Sequence, residues 1–78
     1  MTLKVISAEK ILFEGEVNSV TLPGELGSFT VLKNHASLIS VLVSGKLAFT
    51  TSDGKQEMMS ISSGIADIDN NVISVCVY

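Results

Sequence analysis

Few residues of this chain have side chains and spacing suited to chemistry. Gly24 and Gly27 form a G-x-x-G pattern directly after a proline. A loop that cradles phosphate needs a following helix N-terminus and usually a Lys-Ser/Thr pair, and this stretch has neither. The pattern therefore indicates a turn. Glu25 and Ser28 are expected on an exposed loop, where polar groups can pair with another protein.

Candidate metal ligands and nucleophiles are equally sparse. His35 is the only histidine and Cys76 the only cysteine, and they lie far apart in the chain, so they do not form a zinc ligand set. No serine lies in a G-x-S-x-G setting. Asp67 and Asp69 are two residues apart on one strand face, which favours a solvated surface over an acid pair. We predict no catalytic, metal or cofactor site, an interface or structural role for His35, and a buried thiol at Cys76.

A different class of function depends on one lysine. Lipoyl- and biotinyl-type carrier domains are also small and all-β, and they carry a modified lysine at a hairpin tip. Lys55, which follows Asp53-Gly54, is the only candidate for such a lysine. The carrier pattern requires Asp-Lys or Met-Lys-Met, and the sequence Gly-Lys-Gln around Lys55 fits neither. The carrier domain remains the alternative, and intact mass after co-expression with a ligase distinguishes it.

Composition excludes two further classes. The net charge is −3, and all five basic residues are lysines. Arginine is the preferred residue for phosphate forks and base edges, so its absence from an acidic chain argues against nucleic acid binding. The longest stretch without a charged side chain runs from Asn34 to Gly45. It is well short of the roughly 20 apolar residues that a membrane helix needs, which argues against direct membrane insertion.

The elements that must position these residues are strands. Apolar and polar residues alternate over residues 19–22, 46–50 and 73–77, which is typical of strands with one buried face. Asp53-Gly54 and Asn70-Asn71 separate strand patterns and predict tight hairpins. No segment combines helical periodicity with helix caps. We predict one domain over residues 1–78, an all-β sandwich or flattened barrel of two stacked antiparallel sheets.

The stretch from Thr21 to Ser40 also carries a family resemblance. It is similar to the pattern L-P-G-E-x-G-x-F-G-V-L-P-x-H-A-P-L-L of the N-terminal domain of F-type ATP synthase epsilon subunits (delta subunits in mitochondria). The opening strand and turn, the Ser44-Gly45-Lys46 step and the Ser63-Gly64 step resemble that family in the same order. The matching residues of the main pattern are Leu22, Pro23, Gly24, Glu25, Gly27, Phe29, Val31, Leu32, His35, Ala36 and Leu38.

The resemblance implies a mechanical role in the rotor, with no catalytic residue and no cofactor. Its partners would be the gamma (central stalk) subunit and the ring of c subunits, which the domain would couple during proton-driven ATP synthesis. The location would be peripheral, on the cytoplasmic face of the bacterial inner membrane or an equivalent energy-transducing membrane. The implied c-ring contacts are Glu25, Leu26, Gly27 and Ser28. The implied stalk contacts are Ser7, His35 and Ser40.

The chain departs from the family pattern at four positions of the same stretch. Thr30 replaces a usual glycine, and Lys33 and Ser37 replace usual prolines. Asn34 stands at a variable position where glycine is frequent. These changes predict a different local path for the loop. The family usually continues into a pair of C-terminal helices with an inhibitory and, in some members, an ATP-binding role. Because this sequence stops at Tyr78, we expect the helical hairpin to be absent and the 78-residue chain to have neither activity.

Overall fold

The computed structural model describes all residues from 1 to 78 as eight strands joined by short turns. The alternation in the sequence reappears as alternating burial, most regularly from residue 64 to residue 69, where every second residue is buried. In chain order, the strands are β1 (Thr2–Ile6), β2 (Ile11–Gly24), β3 (Gly27–Leu32), β4 (Leu38–Leu42), β5 (Gly45–Thr51), β6 (Gln56–Ile61), β7 (Gly64–Asp69) and β8 (Val72–Val77).

One long strand connects the two layers of the fold. The hydrogen-bonded order is β1-β8-β7-β4-β2-β5-β6, with β3 attached to β2 and a further pairing of β1 with β2. The first half of β2 pairs with β1, and its second half pairs with β3 and β5. One layer therefore contains β4, β7, β8, β1 and the start of β2, and the other contains β3, β5, β6 and the end of β2. The predicted all-β sandwich is confirmed, and the shared strand gives it the character of a flattened barrel.

One strand pair departs from the antiparallel expectation. β1 and β8 run parallel, from Thr2 beside Val72 to Ile6 beside Cys76. All other pairings in the structure are antiparallel. The alternation of side chains reports which face of a strand is buried, but it does not report the direction of the neighbouring strand. The two layers are also joined by hydrogen bonds through β2, which agrees with the flattened-barrel form of the prediction.

The core lies between the layers and is entirely apolar. Every strand contributes to it, and no polar or charged residue is buried. The structure contains no helix long and apolar enough to span a membrane. The buried residues of the core are Leu3, Val5, Val17, Val20, Leu22, Val31, Leu42, Leu47, Phe49, Ile61, Ala66, Ile68, Ile73, Val75 and Val77.

Both predicted hairpins are present. Asn70 and Asn71 link β7 to β8 with φ angles of 52° and 62°, in the left-handed region that asparagine tolerates. Gly54 has a φ of 90° in the turn between β5 and β6. In that turn, the backbone N–H of Lys55 donates to the hydroxyl of Thr51 at 3.1 Å. These turns set the register of the strands that they join.

Candidate docking surfaces

The hairpin between β2 and β3 ends in a two-residue tip, Glu25-Leu26, flanked by a glycine on each side. Gly24 and Gly27 are paired across the hairpin. Gly27 has a φ of 127°, which side chains of L-residues rarely adopt. A Cβ added at Gly24 would lie 2.7 Å from the Gly27 carbonyl oxygen and 2.8 Å from Cε1 of Phe29. Close backbone approach at Gly24 and positive φ at Gly27 therefore explain both glycines without any phosphate ligand.

This tip projects from the sandwich but is held at its base. Glu25, Gly27 and Ser28 are exposed, and the Leu26 side chain is fully exposed. The backbone N–H of Glu25 donates to the carbonyl of Val41 at 2.9 Å. A second backbone bond of 2.9 Å runs from the N–H of Val43 to the carbonyl of Pro23. These two backbone hydrogen bonds, to Val41 in β4 and from Val43 just after it, hold the base of the hairpin and thus fix the direction in which the tip projects.

His35 lies in the exposed loop between β3 and β4, at the other end of β4 from the tip. Its backbone N–H donates to the carbonyl of Leu32 at 3.1 Å. The ring atom Nδ1 lies 2.6 Å from the carbonyl oxygen of Ala36. Because a carbonyl only accepts hydrogen bonds, Nδ1 carries the hydrogen in this contact. The opposite ring nitrogen, Nε2, is then left for a partner.

Ser7 and Ser40 have different surroundings from His35. The Ser7 hydroxyl accepts the backbone N–H of Lys10 at 3.3 Å and that of Glu9 at 3.4 Å, so it holds the turn between β1 and β2. Ser40 is half-buried in β4 and is paired with Ala66, on the inner side of that strand. No hydrogen bond joins any two of these three residues. They lie around the layer that contains β4 and β1 and do not form one cluster.

Sequence reasoning missed an apolar strip on the outside of this layer. Strand register aligns five side chains across five strands: Val41 with Ile65, Ile65 with Cys76, Cys76 with Ile6, and Ile6 with Ile11. Val41, Ile65 and Ile11 are 51%, 42% and 55% exposed, and Ile6 and Cys76 are half-buried. We call these five residues the apolar row. Cys76 is therefore part of this outer strip and not of the core.

The apolar row has a polar neighbour row and lies between two predicted contact residues. Two residues along the strands, on the same face, the register aligns Asp67 with Ser74, Ser74 with Lys4, and Lys4 with Glu14. On β4 the residue opposite Asp67 is Ile39, which is apolar and exposed, so the polar row spans the other four strands. The apolar row begins on β4, next to Ser40, and reaches the turn held by Ser7. An exposed apolar strip with a polar rim is typical of a protein contact surface.

The remaining candidates from the sequence do not come together in a reactive cluster. Lys55 lies in the β5–β6 turn, and its Nζ is 3.3 Å from a carboxylate oxygen of Glu57. Asp67 and Asp69 are both exposed on β7. The hydroxyl of Thr51 donates to the Asp53 carboxylate and holds the pKa of Asp53 below its ordinary value. This hydrogen bond stabilises a turn and involves no second acid or base.

The fold and these surfaces define a β-sandwich domain suited to contact with other proteins. The chain belongs to the family described as the ATP synthase delta/epsilon chain β-sandwich domain, whose model matches residues 1–78. This membership bears out the resemblance found in the sequence.

The relatives differ in how much of their length this chain spans. It is 40% identical over 70 residues to the ATP synthase epsilon chain of Chlorobaculum tepidum, covering 90% of this chain and 80% of that one. It is 41% identical to the epsilon chain of Nitratiruptor sp., covering 91% of this chain and 55% of that one. For the epsilon chain of Campylobacter jejuni, the identity is 39% and the coverages are 96% and 58%.

Solved structures show the same fold at low identity. A chain of the Euglena gracilis mitochondrial ATP synthase superimposes with a TM-score of 0.89 at 23% identity, covering 96% of this chain and 48% of that one. A chain from the central stalk and c-ring of the Tetrahymena thermophila mitochondrial ATP synthase gives a TM-score of 0.80 at 15% identity, covering 99% and 62%. At these identities the likeness is one of fold alone.

Proposed function

We propose that this domain is a component of the rotor of an F-type ATP synthase, where it joins the central stalk subunit to the c-ring. The observation that carries the proposal is the match of the family model to residues 1–78, together with epsilon chains about 40% identical over most of the chain. The family match favours this role over a carrier domain, and Lys55 is paired with Glu57 at 3.3 Å. The role is mechanical, because it depends on two contact surfaces and not on a reacting group.

The ring-facing surface in this proposal is the tip formed by Glu25, Leu26, Gly27 and Ser28. Two features support the assignment. The tip is exposed, and its base is fixed by backbone hydrogen bonds to Val41 and from Val43. A fixed projection loses little conformational entropy when it docks. Leu26 offers an apolar contact, and Glu25 and Ser28 offer polar ones to a polar loop of the c subunit.

The stalk-facing surface is the layer bordered by Ser7, His35 and Ser40, with the apolar row across it. The row supplies the apolar area that a lasting interface needs at its centre. Ser7 lies in the turn that the row reaches and His35 in the loop before β4, whereas Ser40 is half-buried on the inner side of β4. Torque is transmitted when the domain holds both partners. The His35 loop lies at the opposite end of β4 from the tip, whereas the apolar row begins at Val41, whose carbonyl accepts the backbone N–H of Glu25. The two proposed surfaces therefore adjoin near the tip, and β4 runs between the tip and the His35 loop.

The proposal includes no catalytic residue, no cofactor and no nucleic acid. It places the domain at the cytoplasmic face of an energy-transducing membrane, held there by its partners and not by insertion of its own chain. The core is closed and apolar, and the exposed apolar side chains lie on strands and turns.

Site-directed crosslinking tests the ring contact. In a Cys76→Ala background, Glu25→Cys and Ser28→Cys are expected to crosslink to the polar loop of the c subunit in the assembled complex. Gln56→Cys is the matched control, because Gln56 is also exposed beside a hairpin turn but lies in the other hairpin. Crosslinks from Gln56→Cys, with none from either tip variant, would reject the assignment.

A further inference from the structure

Two polar contacts tie the loop that carries His35 to the turn between β7 and β8. The backbone N–H of Asn34 donates to Oδ1 of Asn71 at 2.7 Å, and Nδ2 of Asn71 donates to Oδ1 of Asn34 at 3.0 Å. The hydroxyl of Ser37 donates to Oδ1 of Asp69 at 2.6 Å. We call these four residues the polar clasp. It joins segments that are more than thirty residues apart in the sequence.

The clasp brackets His35 on both sides. Asn34 precedes it and Ser37 follows it by two residues, so the loop is held at both ends of a short span. Asn34 has a φ of 65°, a left-handed conformation that asparagine tolerates and that gains from local support. Asn71 provides that support, because it pairs with both the backbone and the side chain of Asn34. The hydrogen bond from the His35 ring to Ala36 then fixes the imidazole within the bracketed span.

The clasp also accounts for two departures from the family pattern. Asn34 stands at a variable position of that pattern where glycine is frequent, and Ser37 stands where the pattern has proline; both contribute side chains to the clasp. A proline limits the conformations of a loop through its ring, whereas hydrogen bonds to a neighbouring hairpin limit them from outside. In this chain, polar contacts to the β7–β8 turn hold the loop.

We infer that Asn71 and Asp69 are positioning residues for stalk docking: they hold the His35 loop, through Asn34 and Ser37, in the conformation that meets the stalk subunit. The inference rests on the proposed function, since it assumes that the His35 loop contacts the stalk. It assigns a docking role to the β7–β8 turn without requiring the turn itself to touch the partner.

The test compares two identical substitutions in one turn. Asn71→Gly removes the amide of the clasp, and Asn70→Gly removes a neighbouring amide that makes no clasp contact. Both residues have positive φ, 62° and 52°, which glycine accepts without strain, so neither variant is expected to disturb the hairpin. Urea denaturation of both variants verifies that the fold is retained.

Two readouts are measured on the full chain. In Asn71→Gly, hydrogen exchange at the Asn34 amide is expected to rise about threefold to tenfold, and the Kd for the purified stalk subunit is expected to rise by a similar factor. Asn70→Gly should match the unsubstituted chain in both. Asn71→Asp retains the acceptor for the Asn34 N–H and should restore most of the exchange protection.

Each contrary outcome has a distinct meaning. Unchanged exchange in Asn71→Gly would overturn the clasp itself. Faster exchange with unchanged stalk affinity, while His35→Ala does weaken binding, would overturn the positioning role and leave the proposed function intact. If the unsubstituted chain does not bind the stalk subunit, the proposed function fails, and the positioning role fails with it.

Discussion

At the scale of single residues, most of the polar side chains with defined contacts hold turns. Ser7 holds the β1–β2 turn, Thr51 the β5–β6 turn, and Asn71 the connection between two loops. None of these contacts brings an acid, a base and a nucleophile together. The hydrogen bonds of these side chains therefore stabilise the shape of the surface, and a domain that docks to other proteins requires a defined surface.

The Asp53 carboxylate gives a pH-dependent prediction at this scale. Because its hydrogen bond from Thr51 favours the charged form, the pKa of Asp53 is lowered in the folded state. The contribution of this contact to stability is present above the ordinary Asp pKa of about 3.9 and is lost as the pH falls through the lowered value. Thr51→Val should raise the pKa of Asp53 towards its ordinary value in an NMR titration. Thr50→Val, the adjacent control, should leave it unchanged, and equal pKa values in both variants would contradict the account.

The predicted stalk contacts give a second residue-scale prediction. His35→Ala should weaken binding to the stalk subunit by about 1 kcal/mol or more, because the substitution removes a fixed, exposed imidazole. Ser7→Ala and Ser40→Ala should have smaller effects, since the Ser7 hydroxyl is engaged in its own turn and Ser40 is half-buried. Calorimetric titration provides the measurement. Unchanged affinity in all three variants would remove these residues from the interface.

At the scale of elements, the sequence predicts the turns and strands that depend only on residues close together in the chain. The Asn70-Asn71 turn and the alternating strand from Ile73 to Val77 could be predicted because turn propensity and period-two burial are local properties. The parallel pairing of β1 with β8 could not, since it joins the two ends of the chain. The apolar row could not be predicted from the sequence for the same reason. Each of the five strands contributes one residue to the row, and only the register aligns them.

The apolar row gives the prediction for this scale. Val41→Ser and Ile65→Ser should each weaken stalk binding about tenfold, because they remove apolar area from the centre of the proposed interface. Their free energy of unfolding should change little, since both side chains are about half exposed. Met58→Ser is the matched control, because Met58 is 62% exposed on the other layer. The role of the row is refuted if Met58→Ser weakens binding as much as the row variants do.

At the scale of the whole molecule, the domain has two distinct exposed features on one closed core: the tip, and the outer face that carries the apolar row. The fold class could be predicted from alternation and turns, and the family from the loop stretch. The residues proposed to contact each partner come only from the resemblance, because an exposed side chain carries no local signal of its partner. The fixed tip, the apolar row and the polar clasp could be recognised only in the three-dimensional structure.

The first prediction at this scale is that coupling of the stalk subunit to the c-ring does not require inhibition of ATP hydrolysis or ATP binding. Coupling in the proposed function needs only the two contact surfaces, both of which lie within residues 1–78. The resemblance assigns inhibition and ATP binding to a pair of helices and not to the β domain. The 78-residue chain should therefore neither inhibit ATP hydrolysis by the epsilon-depleted enzyme nor bind ATP. Hydrolysis assays and calorimetry measure the two properties. Strong inhibition by this chain alone, or ATP binding with a micromolar Kd, would contradict the prediction.

In the proposed function, this domain makes the stalk subunit and the c-ring turn as one body. The most direct measurement is ATP-driven proton pumping in vesicles that carry the cognate ATP synthase stripped of its epsilon subunit. Adding the 78-residue chain should restore pumping in a saturable manner, in step with the amount of chain bound. Pumping that stays at the level of the stripped vesicles while the chain is bound to the complex would contradict the account.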